Sequence, residues 1–186
     1  MNHKDYMKKT VFGIGYLGGN EVNSLSSTYK RWQGMLRRCY TSTHRPTYKG
    51  CEVCIEWHNF QTYAKWEVDN RIEGYQVDKD LLGGGKLYSP ETCCWLPSKI
   101  NMALVFRHRP DLPIGVRRKK GKYYSEISRN GIRKGLGYRG TAEESGKDYK
   151  QAKEAYVKTL AEEYYLIDKI TERVYNGLIN WKLKEE

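Results

Sequence analysis

Long apolar runs are missing from this chain. None approaches the roughly 20 residues that a bilayer-spanning helix needs. The first residues, Met1-Asn2-His3-Lys4-Asp5, also lack the apolar segment of a secretory signal. The expectation is a folded protein kept in a cytoplasm. Cysteine is sparse, with Cys39, Cys51, Cys54, Cys93 and Cys94 in 186 residues. In such a chain they do not read as a disulfide framework. Cys51 and Cys54 have the spacing of a zinc pair, but a structural site wants a second close pair. Adjacent Cys93 and Cys94 would point apart on a strand. Cys39, Cys51, Cys54 and Cys93 are therefore the candidate zinc set, against the reading that these thiols pack in a core.

Acidic residues are scarce where basic ones gather. Eleven Lys and Arg between Val105 and Arg139 face only Asp111 and Glu126, while the whole chain carries +11. Charge concentrated in so short a segment suggests a polyanion-binding surface, and nucleic acid is the commonest such partner. The alternative is a solvated basic face with no partner. A DNA-mimicking protein is excluded by the sign. Hydrophobic residues make up 39% and include 16 Tyr and 5 Trp, enough for one well-buried domain or two small ones.

Two glycine motifs lead nowhere. Gly13-Ile14-Gly15-Tyr16-Leu17-Gly18 is a literal GxGxxG without the strand before it or the periodic helix after it, so it reads as a loop or ribbon. Gly83-Gly84-Gly85-Lys86 lacks the phosphate-loop spacing and reads as a turn. Helical spacing of Tyr29, Trp32, Met35, Leu36 and Cys39 predicts a helix over 26–40, and a second is expected over 57–68. A short strand is expected over 51–55 and a linker over 105–113, where Pro110 and Pro113 interrupt any period.

From Ile114 the period becomes two. Strands are expected over 114–117, 122–128 and 132–138, joined through Lys120-Gly121 and Asn130-Gly131, the latter a strong hairpin dipeptide. Thr141-Ala142-Glu143-Glu144 is a capping box opening a long helix, and 171–181 predicts a terminal one.

This second module resembles the ethylene-response-factor type of DNA-binding domain, which also occurs in phage and mobile-element endonucleases. The matching residues are Gly115-Val116-Arg117-Arg118, Gly121 to Ile127, Leu136-Gly137-Tyr138 and Thr141 to Glu144. The resemblance implies a sheet that reads duplex DNA with arginine and aromatic side chains. With Val116, Ile127, Leu136 and Tyr138 toward the helix, Arg117, Tyr124, Glu126 and Arg133 fall on the opposite face. The candidate DNA-binding residues are Arg117, Arg118, Lys120, Lys122, Tyr124, Arg133 and Lys134.

Upstream, the unit from Val77 to Asn101 resembles the ββα hairpins of HNH (His-Me finger) homing endonucleases. So do the flanking Tyr29-Lys30-Arg31-Trp32, Met35 to Tyr40 and Val53 to Trp57. By position, Asp78 matches the family's Asp, Lys79 its catalytic His, Thr92 its middle Asn and Asn101 its last residue; two of the four are retained. The resemblance implies Mg²⁺ at Asp78 and Asn101, stabilising charge on a phosphate under attack. A histidine suits the base because it titrates near neutral pH, whereas a lysine is protonated there. Asp80 or His58 could substitute as base, or Lys79 could stabilise charge instead.

The expected architecture is α+β: an HNH-like module with N-terminal helices over 1–104, a linker, an ethylene-response-factor-like module over 114–165, and a C-terminal helix within 166–186. The expected function is metal-dependent cleavage of double-stranded DNA. The rivals are an inert DNA-binding regulator and a phage-encoded inhibitor that binds a host protein.

Overall fold

The computed structural model describes residues 7–19, 22–41, 46–106 and 109–184. The chain is mixed α+β, with six α-helices among the described residues and a three-stranded antiparallel sheet. It divides into two compact units, Met1–Trp95 and Leu96–Glu186.

In the first unit, α1 (Ser27–Tyr40) starts where the Ser26 hydroxyl accepts from the Tyr29 N–H. It buries Trp32, Met35 and Leu36, the stripe expected from helical spacing. β1 (Glu52–Val53) leads through a 3-10 turn over Ile55–His58 into α2 (Phe60–Asn70), which Asn59 caps. β2 (Tyr75–Asp78), the single turn α3 (Asp80–Gly83) and β3 (Leu87–Tyr88) follow. β1 pairs in parallel with β3, Glu52 opposite Leu87 and Val53 opposite Tyr88. β2 pairs with β4 (Cys94–Pro97), whose first two residues close the unit. Trp32, Leu36, Trp57, Phe60, Tyr63, Tyr88 and Cys93 form the core, and the Trp32 indole donates to the Trp57 carbonyl at 2.7 Å.

The GxGxxG segment is a loop in this core wall. Val11 bridges Gly15, and a Cβ on Gly15 would come within 2.6 Å of Leu36. Close packing on α1 accounts for that glycine without a nucleotide.

The second unit opens with α4 (Ser98–Leu104), followed by β5 (Val116–Lys119), β6 (Lys122–Arg129), β7 (Ile132–Arg139), α5 (Ala142–Leu166) and α6 (Glu172–Ile179). The sheet order is β5-β6-β7. Both hairpin turns carry positive φ at both central residues, Lys120 and Gly121 then Asn130 and Gly131, the type I′ pattern that matches strand twist. The Thr141 capping box forms in full, with Glu144 returning a bond to the Thr141 N–H at 3.2 Å. Val116 and Ile127 from the sheet, with Tyr156, Val157, Leu160 and Ala161 from α5, are buried.

The division at Trp95 lies upstream of the linker expected over 105–113. The reason is the packing of α4 on α5: Ile100 and Ala103 are buried, Lys99 lies 3.6 Å from Glu163, and the Lys153 ammonium donates to the Val105 carbonyl at 3.3 Å. The partner of α4 lies some fifty residues downstream, out of reach of a local pattern.

Candidate nucleic-acid interface

Register decides which basic side chains share a face of the sheet. Arg117 lies opposite Tyr124, Tyr124 opposite Tyr138, Lys119 opposite Lys122, and Ser128 opposite Arg133. Directly paired residues project to the same side, and so do residues two apart. Arg117, Lys119, Lys122, Tyr124, Glu126, Arg133 and Tyr138 therefore share the face away from α5. Val116, Ser125 and Ile127 fill the face toward it.

Tyr138 departs from the expected pattern. Between Tyr124/Tyr138 and Glu126/Gly135 the register shifts by one residue, so β7 carries an extra residue there. Gly137, at φ +103°, supplies the backbone for this bulge. The bulge turns Tyr138 outward, onto Tyr124 at 5.1 Å between ring centroids, and leaves it 46% exposed.

The outer face is an interlocked set. Glu126 lies at its centre, 3.2 Å from Arg117 and 3.8 Å from Arg133, and the Tyr124 hydroxyl donates to it at 3.4 Å. The Lys119 ammonium sits 5.9 Å over the Tyr124 ring. The Arg117 and Arg133 side chains are 53% and 73% exposed, so their donors remain available to an outside partner. The other candidates are placed differently. Arg118 lies over Tyr123 on the helix side of the edge strand, Lys134 pairs with Ile127, and Lys120 occupies the turn. Lys119 and Tyr138 belong to the outer face and were not among the sequence candidates. Alternation from Arg117 would have found Lys119; only the bulge reveals Tyr138.

The Asp78 hairpin has a different character. Asp78 is buried, and its Oδ1 accepts from the backbone N–H groups of Asp80 and Leu81 at 3.0 and 2.8 Å. Burial raises its pKa, and the two backbone bonds partly oppose that. Lys79 is 5% exposed. Its ammonium donates to Asp80 at 2.6 Å and to the Gly85 carbonyl at 2.7 Å, and lies over the Tyr48 and Tyr88 rings at 5.7 and 5.5 Å. It ties α3 to the Gly84-Gly85 turn. Asp80 is engaged by that ammonium, and the His58 ring contacts Tyr40 and the Val53 carbonyl. Thr92 is used locally, donating to the Leu87 carbonyl and accepting from the Ser89 N–H.

Mg²⁺ is held in octahedral oxygen geometry, keeps several of its own waters, and needs only one or two protein oxygens beside a phosphate. Asp78 Oδ1 accepts from the backbone of its own turn, and Asn101 lies on α4. Among the described residues no three His, Cys, Asp or Glu side chains form a metal-holding group. The cysteines are free thiols. Burial pushes the thiols of Cys39 and Cys54 up to about 11 and that of Cys93 up to about 12. Cys51 donates to the Gly85 carbonyl at 3.4 Å.

Compared with protein-family models, curated proteins and solved structures, the chain matches none. Among the described residues no helix is long and apolar enough to cross a membrane.

Proposed function

We propose that this protein binds duplex DNA through the outer face of β5-β6-β7. The observation that carries the reading is the single-faced set of Arg117, Lys119, Lys122, Arg133, Tyr124 and Tyr138 on a unit whose basic residues far outnumber its acidic ones between Val105 and Arg139. Guanidinium groups suit both phosphate oxygens and guanine edges, and the tyrosines offer flat contact surfaces. Glu126 holds both arginines in position before DNA arrives, which lowers the entropy lost on binding. A gel-shift titration with duplex DNA tests the reading. Wild type is expected to bind, and Arg117→Ala and Arg133→Ala each to weaken binding at unchanged melting temperature. Equal affinity in all three proteins would overturn it.

A second reading is metal-dependent DNA cleavage at Asp78. The pairing of β2 with β4, the helix α4 directly after β4, and the retained Asp78 favour it. The tethered ammonium of Lys79 counts against it, because no free base stands at that position. Supercoiled plasmid with Mg²⁺ or Mn²⁺ separates the two readings. Nicking lost in Asp78→Ala would establish cleavage at this hairpin, and intact plasmid throughout would leave DNA binding as the function.

A further inference from the structure

Within the C-terminal unit, a cavity of about 790 Å³ is lined by residues of α4, by Val105, Phe106 and Arg109, by α5 and by both faces of the sheet. That volume falls in the range of roughly 300–1,000 Å³ typical of small-molecule sites. Met102, Val105 and Phe106 give it an apolar side and are 71%, 64% and 38% exposed. Five cations also line it, beside Val116, Tyr149, Tyr156 and small or polar residues. Lys99, Arg109 and Lys153 are the cations apart from the outer sheet face; Arg117 and Arg133 belong to that face and are paired there with Glu126.

Lys153 is the unusual member. It is 7% exposed, and among the described residues its ammonium has the Val105 carbonyl at 3.3 Å and no carboxylate within ion-pair distance. Burial lowers its pKa, and no acidic neighbour raises it again. An ammonium has three N–H donors. Removing it from water with one carbonyl as partner is costly. An anion entering the cavity would supply what is missing. Arg109 is exposed at the same opening, and Lys99, though 3.6 Å from Glu163, keeps donors to spare.

We infer that this cavity binds a phosphate group, with Lys153 as its buried cation and Arg109 and Lys99 as its outer ones. A phosphate carries up to about two negative charges and several acceptor oxygens, which matches this donor set better than one carboxylate does. Its source is either a small phosphorylated molecule, whose apolar part meets Met102, Val105 and Phe106, or a phosphate of nucleic acid. The inference stands whether or not the outer sheet face binds duplex DNA.

Isothermal titration of the full chain tests it, with inorganic phosphate, deoxyadenosine monophosphate and a DNA duplex as separate probes. Wild type is expected to bind at least one of them, and Lys153→Met to weaken that binding about tenfold or more, the scale of a lost charge-assisted bond. Its melting temperature should hold or rise, because methionine fills the site without a buried charge. Arg109→Ala, at an exposed side chain, is expected to weaken the same probe and covers the case in which the Lys153 variant does not fold. Response to phosphate or the mononucleotide assigns a small ligand; response to the duplex alone assigns a nucleic-acid phosphate. No binding of any probe, or binding unchanged in both variants, would overturn the inference. So would a loss confined to Lys153→Met and matched by a fall in melting temperature.

Discussion

At Lys79 an ammonium is bonded to Asp80 and Gly85 and covered by two tyrosine rings. Alanine there leaves the Gly85 carbonyl and both rings without their partner. The expected cost is about 2 kcal/mol or more in chemical denaturation, from a lost buried charge and its cation–π contacts. Glu67 presents the opposite charge in the same unit. It is 1% exposed and accepts from Thr28 at 2.8 Å and from Arg31. Burial works to raise its pKa, but hydrogen bonds from Arg31, Thr28 and Tyr63 outweigh it and leave the pKa lowered. A carboxyl with a lowered folded pKa adds stability that is complete above its ordinary value of about 4.3 and is lost as pH falls through the lowered one. Melting curves recorded at decreasing pH should show an acid-dependent loss in wild type that is smaller in Glu67→Gln. Identical pH profiles would contradict the assignment.

Elements with local signatures were legible in the sequence. Asn130-Gly131 announces its hairpin, Thr141 to Glu144 its helix start, and Trp32, Met35 and Leu36 the buried face of α1. Features set by distant partners were not. The parallel pairing of Glu52 with Leu87 joins residues far apart in sequence, and Lys79 gives no local sign that Gly85 and Tyr48 will enclose it. The β7 bulge is an intermediate case. Gly137 was visible as a residue, but its φ of +103° and the outward turn of Tyr138 arise only from the register. Gly137→Ala forces a side chain into a left-handed conformation. We expect a loss of about 1–2 kcal/mol together with weaker DNA binding, because Tyr138 no longer stands beside Tyr124. Full stability in that variant would show that the bulge is not needed.

For the whole molecule, the division at Trp95/Leu96 gives α4 to the C-terminal unit. A fragment of residues 96–186 should unfold cooperatively and keep the DNA affinity of the full chain. A fragment of 114–165, without α4 and α6, exposes the apolar face of α5 and should melt at lower temperature or not fold. Equal melting temperatures for the two fragments would place the functional boundary back at the 105–113 segment.

The most direct test of duplex binding by the outer sheet face is the salt dependence of affinity, read by fluorescence anisotropy on labelled duplex DNA. Log affinity should fall linearly with log salt. Removing one phosphate-contacting cation, by Arg117→Ala or Lys122→Ala, should reduce the slope by about 1. Lys134→Ala, paired with Ile127 on the other face, should leave the slope unchanged. A slope insensitive to Arg117 and Lys122, or equally sensitive to Lys134, would contradict the account.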